Sequence, residues 1–141
     1  MPGTRQRIFF PTVLFYIMQT CFTPEAPAPA GHYSQAIVAN GFVFVAGQLP
    51  FVPGQGRNPP QGATAQTRQV MVNVEQILRA AGSSLERIVN VTVYLTDMGH
   101  WPEVNLAYAQ VMGEHKPART VTVSPQLAPG CLLEVQVTAL A

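Results

Sequence analysis

Two charged residues stand inside stretches that otherwise read as apolar strands. Arg119 lies in KPARTVTV, residues 116–123, and Glu134 lies in CLLEVQVTALA, residues 131–141. A guanidinium keeps its charge, so burying it is costly unless an anion meets it. Its planar fork donates two parallel hydrogen bonds, which matches a carboxylate. A glutamate nearby could orient or deprotonate a water. Together the two residue types suit attack by water on a small anionic molecule. A second reading fits the same pattern: a buried Arg119–Glu134 ion pair, or charges that keep strand edges from aggregating. The two-residue period puts Arg119 on one face with Val121 and Val123, and Glu134 with Leu132 and Gln136. Periodicity leaves both readings open.

Other residues with chemical potential carry similar pairs of readings. Gly47, in Ala46-Gly47-Gln48, ends a strand and either admits a close approach to the backbone or makes an ordinary turn. Tyr33 could line a pocket or simply pack, and Asn105 on a helix could be merely solvated. Cys131 has no histidine near it in sequence and reads as a core residue. Gly54-x-Gly56 lacks the lysine and following helix of a phosphate cradle, and no GxSxG, P-loop or dinucleotide fingerprint occurs. His32, His100 and His115 lie far apart, and no His/Cys pair has metal-ligand spacing, so no metal is expected.

These residues are positioned by a chain of one-domain size. Hydrophobic residues make up 48% and charged residues only 11%, which leaves little to decorate a surface and points to coverage by further copies. Eight Lys+Arg against seven Asp+Glu, with no basic run, argue against nucleic-acid binding. Two cysteines make no disulfide framework and fit a reducing compartment, so a cytoplasmic location is expected.

Residues 1–22 form an N-terminal extension ahead of a domain at 23–141. The apolar run Ile8 to Met18 is too short to span a membrane. With Arg5 and Arg7 before it and Ala28-Pro29-Ala30 after, it allows an exported alternative in which residues 1–30 act as a signal peptide. An upstream start, with Met18 opening the working domain, is the competing view. Beyond the Pro/Ala stretch 23–31, Asn40-Gly41 predicts a hairpin turn between two strands. Val70, Val74, Ile77, Leu78 and Ala81 fall at helical spacing, with Gly82 as the stop, and Ser83-x-x-Glu86 suggests a capping box. Val89, Val91, Val93 and Leu95 alternate as one face of a strand. A second helix carries Trp101, Val104, Tyr108, Val111 and Met112, with Pro102 in its first turn. Two further strands follow. The order strand, strand, helix, strand, helix, strand, strand defines an α+β class, one sheet with two helices packed on one face. The other face calls for self-association.

The blocks GHYSQAI, VFVAGQLP, TRQVMVNVEQILRAAGSSLERIVNVTVYLTDM, VNLAYAQVMGEHKPART and LLEVQVTALA together resemble the Rid family, the reactive intermediate deaminases of YjgF type. The resemblance runs from about Phe22 to Ala141. It implies a chorismate-mutase-like single mixed sheet and a homotrimer with three clefts between subunits, and it favours Met18 as the start. It also implies an activity: without a cofactor, enamines such as 2-aminoacrylate, released by pyridoxal-phosphate enzymes, are hydrolysed through their imine tautomers to 2-oxo acids and ammonia. The partners implied are a small imino or 2-oxo acid and further copies of the chain, with neither nucleic acid nor membrane. Residue by residue, the family's carboxylate-binding arginine falls on Arg119 and its water-positioning glutamate on Glu134. The substrate-lining positions fall on Tyr33, Gly47 and Asn105, and backbone groups near Val121 help to fix the substrate.

Three positions depart from the family pattern: His32 for proline, Ala46 for serine, and Val121 for a frequent cysteine. They bear on substrate range more than on the reaction. Alternatives kept beside the deaminase are a non-catalytic carboxylate-binding or regulatory trimer, an endoribonuclease, and a holdase independent of Arg119.

Overall fold

The computed structural model describes residues 17–141. The basic MPGTRQR segment and nearly all of the apolar run ending at Met18 lie outside the described residues. Six strands form one sheet: β1 (Gln19–Cys21), β2 (Ala36–Ala39), β3 (Phe42–Gln48), β4 (Ile88–Leu95), β5 (Ala118–Val123) and β6 (Leu133–Leu140). Their order is β1-β2-β3-β6-β4-β5. Every pairing is antiparallel except β4 with β5. A parallel pair needs a long crossover, and helix α2 (Trp101–Met112) supplies it; α1 (Ala63–Ala80) connects β3 to β4. The sheet thus carries two helices, as the element order predicts, and is mixed, as the resemblance implies.

Local signals act where they stand. Asn40 and Gly41 both take positive φ, 49° and 82°, which is what a tight turn twisting with its strands demands. Val70, Met71, Val74, Ile77 and Leu78 are buried; burying each such side chain stabilises the fold by about 1.5–3 kcal/mol. Helix α1 ends in a Schellman arrangement, with Ser83 N–H donating to Leu78 O and Gly82 N–H to Arg79 O, while Gly82 sits at φ 80°. One helix face, Val43 and Val45, Val91, Val93 and Leu95, and Leu133, Val135 and Val137 interlock in a single core.

Three expectations need correction. The capping box does not form: Ser83 Oγ donates to the carbonyl of Leu140, and the short 3-10 turn Leu85–Arg87 is preceded by Ser84 with no side-chain cap. Val89 is not a core residue. Between Ile88 and Asn90 the register to β6 shifts, and this bulge turns Val89 outward to 37% exposure while Ile88 takes the inner place. The sheet also begins earlier than the hairpin, because Gln19–Cys21 pairs antiparallel with β2.

The second sheet face carries Phe42, Phe44, Thr92, Tyr94, Thr122, Glu134 and Thr138. No element among the described residues packs on it, and Phe44 and Leu140 remain exposed.

Candidate functional site

Arg119 and Glu134 do not meet. Strand β4 lies between β5 and β6, with Val91 opposite both Arg119 and Val137, and Tyr94 opposite both Thr122 and Glu134. Arg119 therefore shares the helix face and Glu134 the open face. Three residues along the strands and two strand spacings across put their Cα atoms about 14 Å apart. The ion-pair reading fails on this geometry. Among the described residues the one ion pair is Glu75–Arg79, at 2.6 Å. Arg119 is also not buried: β5 is an edge strand, and the residue is exposed.

The Arg119 side is an orienting cradle. Asn105 Oδ1 accepts from Arg119 Nη1 at 3.0 Å. The guanidinium carbon lies 4.7 Å from the centre of the Trp101 ring and 4.9 Å from that of Tyr108. Such contacts hold a cation without neutralising it. Both rings come from α2, where positions 101, 105 and 108 line one side by the three- and four-residue spacing. Val121, half-buried, packs against the core cluster to which Tyr108 belongs. Tyr108 Oη is a buried side-chain atom with no hydrogen-bond partner among the described residues. Burial pushes its pKa up, and the Arg119 charge opposes that. The sequence singles out Asn105 and Val121, but gives Trp101 and Tyr108 only as apolar helix residues.

On the Glu134 side the decisive neighbour is Gly47. Register between β3 and β6 shifts from Val45↔Val137 to Gln48↔Val135, so Ala46 and Gly47 form a bulge. A Cβ on Gly47 would fall 2.1 Å from Glu134 Oε1 and 3.1 Å from its Cδ. The missing side chain is the space that the carboxylate occupies. Burial raises the Glu134 pKa above the ordinary carboxylate value.

Beyond Gly47 opens a pocket of about 450 Å³, walled by Tyr33, Gln48 and Phe51. Tyr33 is half-exposed, and its Oη accepts from Ala30 N–H at 3.2 Å. Cys131 is buried, and its thiol pKa is raised first by desolvation, which suits a core residue.

Three buried amides hold this pocket's walls, and none has a sequence signal stronger than a polar residue in an apolar setting. Gln35 accepts from Thr23 N–H at 2.7 Å and donates to Thr23 O and Pro27 O. Asn73, on the buried side of α1, donates to Leu49 O and Phe51 O at 3.0 and 2.9 Å. Gln66 donates to Pro60 O and Gly130 O and accepts from Leu132 N–H. Loop carbonyls that would otherwise be orphaned are satisfied from the core.

Among the described residues no group of His, Cys, Asp and Glu is arranged to hold a metal ion, and no helix is long and apolar enough to cross a membrane.

The α+β sheet thus carries an exposed, oriented arginine on its helix face and a desolvated carboxylate on its open face. The family model described as endoribonuclease L-PSP matches residues 23–141, and the chain belongs to this family, the YjgF/RidA or Rid family. A RutC family protein of Pyrococcus horikoshii is 44% identical over 121 residues, covering 86% of this chain and 96% of that one. The mitochondrial protein Mmf1 of Saccharomyces cerevisiae is 42% identical over 119 residues, covering 84% and 81%. Among solved structures, E. coli TdcF with bound serine superposes with a TM-score of 0.83 at 31% identity, covering 87% of this chain and 98% of that chain. RidA from a Psychrobacter species gives 0.82 at 34%, covering 87% and 99%.

Proposed function

We propose that this protein hydrolyses small 2-imino acids, such as the imine tautomer of 2-aminoacrylate, to 2-oxo acids and ammonia without a cofactor. The observation that carries the reading is Arg119, whose guanidinium is oriented by three neutral groups, Asn105, Trp101 and Tyr108, and so keeps its charge for a carboxylate. TdcF was solved with serine bound, an amino acid that carries such a carboxylate.

Glu134 takes the second role. Its raised pKa makes it a stronger base than a solvated carboxylate, yet one that releases its proton again. It holds a water, accepts its proton as the oxygen bonds to the imine carbon, and returns a proton as the C–N bond breaks and ammonia leaves. Gly47 leaves room for the carboxylate, Tyr33 walls the cleft, and backbone groups near Val121 and Gly47 hold the substrate. Arg119 and Glu134 point from opposite faces of one sheet, which supports a site assembled between copies, in a homotrimer. The uncovered second face supports the same assembly. The setting proposed is the cytoplasm, which suits two free cysteines.

The test is a coupled assay. A pyridoxal-phosphate dehydratase generates 2-aminoacrylate from serine, and pyruvate formation is followed with this protein and with Arg119→Ala. Acceleration by the wild type that is lost in the variant supports the reading. Absence of acceleration across several amino-acid-derived imines would leave a binding role.

A further inference from the structure

The pocket beyond Gly47 is larger than a three-carbon imino acid requires, since about 450 Å³ lies within the range of drug-sized ligand sites. Its lining is mainly apolar, from Phe51, Pro53 and the Pro/Ala segment before Tyr33. Among the described residues that line it, the one charged side chain is Arg57. Arg57 is exposed, with its guanidinium carbon 4.9 Å from the centre of the buried Phe51 ring. The ring orients the cation and leaves its hydrogen-bond donors free. No carboxylate among the described residues pairs with it.

The loop that carries Arg57 is built in, not loose. Asn73 holds Leu49 O and Phe51 O on one side of it. Gln66 ties Pro60 O on the other side to Gly130 O and Leu132 N–H, at the entry to the strand that bears Glu134. The buried Cys131 thiol feels both charges: after desolvation, Arg57 lowers its pKa and Glu134 raises it. Through these Gln66 bonds the Arg57 loop is tied to the chain that leads into β6, which bears Glu134.

We propose that Arg57 selects substrates with a second, distal carboxylate, namely dicarboxylic imino acids derived from acidic amino acids. This rests on the imine-hydrolysis reading. Arg119 takes the carboxylate next to the imine carbon, the substrate side chain enters the pocket beyond Gly47, and Arg57 takes the distal carboxylate. The reaction is unchanged and needs no redox partner: water adds across C=N, the C–N bond breaks, ammonia leaves, and a C=O remains.

The experiment compares imines generated in place from alanine and from aspartate by flavin amino-acid oxidases, with catalase present. Conversion to 2-oxo acid above the uncatalysed rate is followed for wild type, Arg57→Gln and Arg57→Lys. The wild type is expected to hydrolyse both. Arg57→Gln should lower kcat/KM for the aspartate-derived imine by about tenfold to a hundredfold, the worth of one charged hydrogen-bonded contact. It should leave the alanine-derived imine within about twofold, and Arg57→Lys should recover part of the loss. Equal loss on both imines, or hydrolysis of the alanine-derived imine alone by the wild type, would overturn this assignment while leaving the deaminase reading intact. Failure on both imines by the wild type would overturn the deaminase reading and this inference with it.

Discussion

Gly47→Ala isolates the geometry of the proposed base. The added Cβ would fall 2.1 Å from Glu134 Oε1, whereas real Cβ atoms essentially never come within 3.0 Å of a heavy atom. The carboxylate, the far end of a flexible side chain, must therefore retreat by about 0.9 Å unless the Ala46–Gly47 bulge itself shifts. A displacement near 1 Å at a reacting group costs about a hundredfold in rate. The effect on stability is expected to be far smaller. An off-rotamer glutamate costs about 0.5–1.5 kcal/mol, and replacing a glycine outside the left-handed region returns about 0.4–1 kcal/mol through the unfolded chain; Gly47 is not among the positive-φ residues. The assay is kcat/KM on 2-aminoacrylate beside urea unfolding, and a double-mutant cycle with Glu134→Ala completes it. If the clash is with the carboxylate, Gly47→Ala destabilises less in the Glu134→Ala background than in the wild type. Gly47→Ala with activity within about threefold of wild type would refute the claim that Glu134 must sit where the glycine lets it sit. Additive stability losses would refute the clash.

Three further perturbations follow from the same geometry. Arg119→Lys keeps the charge but loses the fork and the stacking between Trp101 and Tyr108. It should reduce kcat/KM by about tenfold or more while urea unfolding moves by no more than about 0.5 kcal/mol, as expected for an exposed site; a large stability loss with activity intact would contradict the role given to Arg119. Glu134→Gln tests the desolvated carboxylate. Its pKa is raised in the folded state, so its stabilising contribution is full below the ordinary glutamate value and is lost as pH rises through the folded value. The melting temperature of the variant relative to wild type should accordingly climb with pH across that window, and activity should be lost; a difference independent of pH would contradict the desolvation. Gln66→Leu leaves Pro60 O, Gly130 O and Leu132 N–H without their buried partner. At about 1–3 kcal/mol for each orphaned group, a loss of at least about 2 kcal/mol is expected from urea unfolding, and a loss below about 0.5 kcal/mol would show that water replaces the amide.

Much of the fold is local and could be read along the chain. Helical spacing in α1, Gly82 as its stop, the Asn40-Gly41 turn and the alternation in β5 and β6 depend on residues within a few positions of one another, where backbone sterics and burial on one face decide the outcome. The presence of Arg119 and Glu134 as charges in apolar strands was legible for the same reason. Their relation to each other was not. Alternation tells which residues share a face within one strand, but not which strands adjoin, and the insertion of β4 between β5 and β6 put the two residues on opposite faces. The bulge at Val89 turned that one residue out of the inner face of β4, which Val91, Val93 and Leu95 keep, and the bulge at Ala46–Gly47 gave the glycine its purpose, a void filled by a carboxylate 87 positions later in the chain. Gln35, Gln66 and Asn73 were unremarkable letters until tertiary packing buried them beside loop carbonyls with no other partner. Local patterns were enough for most elements and for the chemical inventory, whereas the faces and neighbours of Arg119, Glu134 and Gly47 depend on contacts between distant segments that no local period encodes.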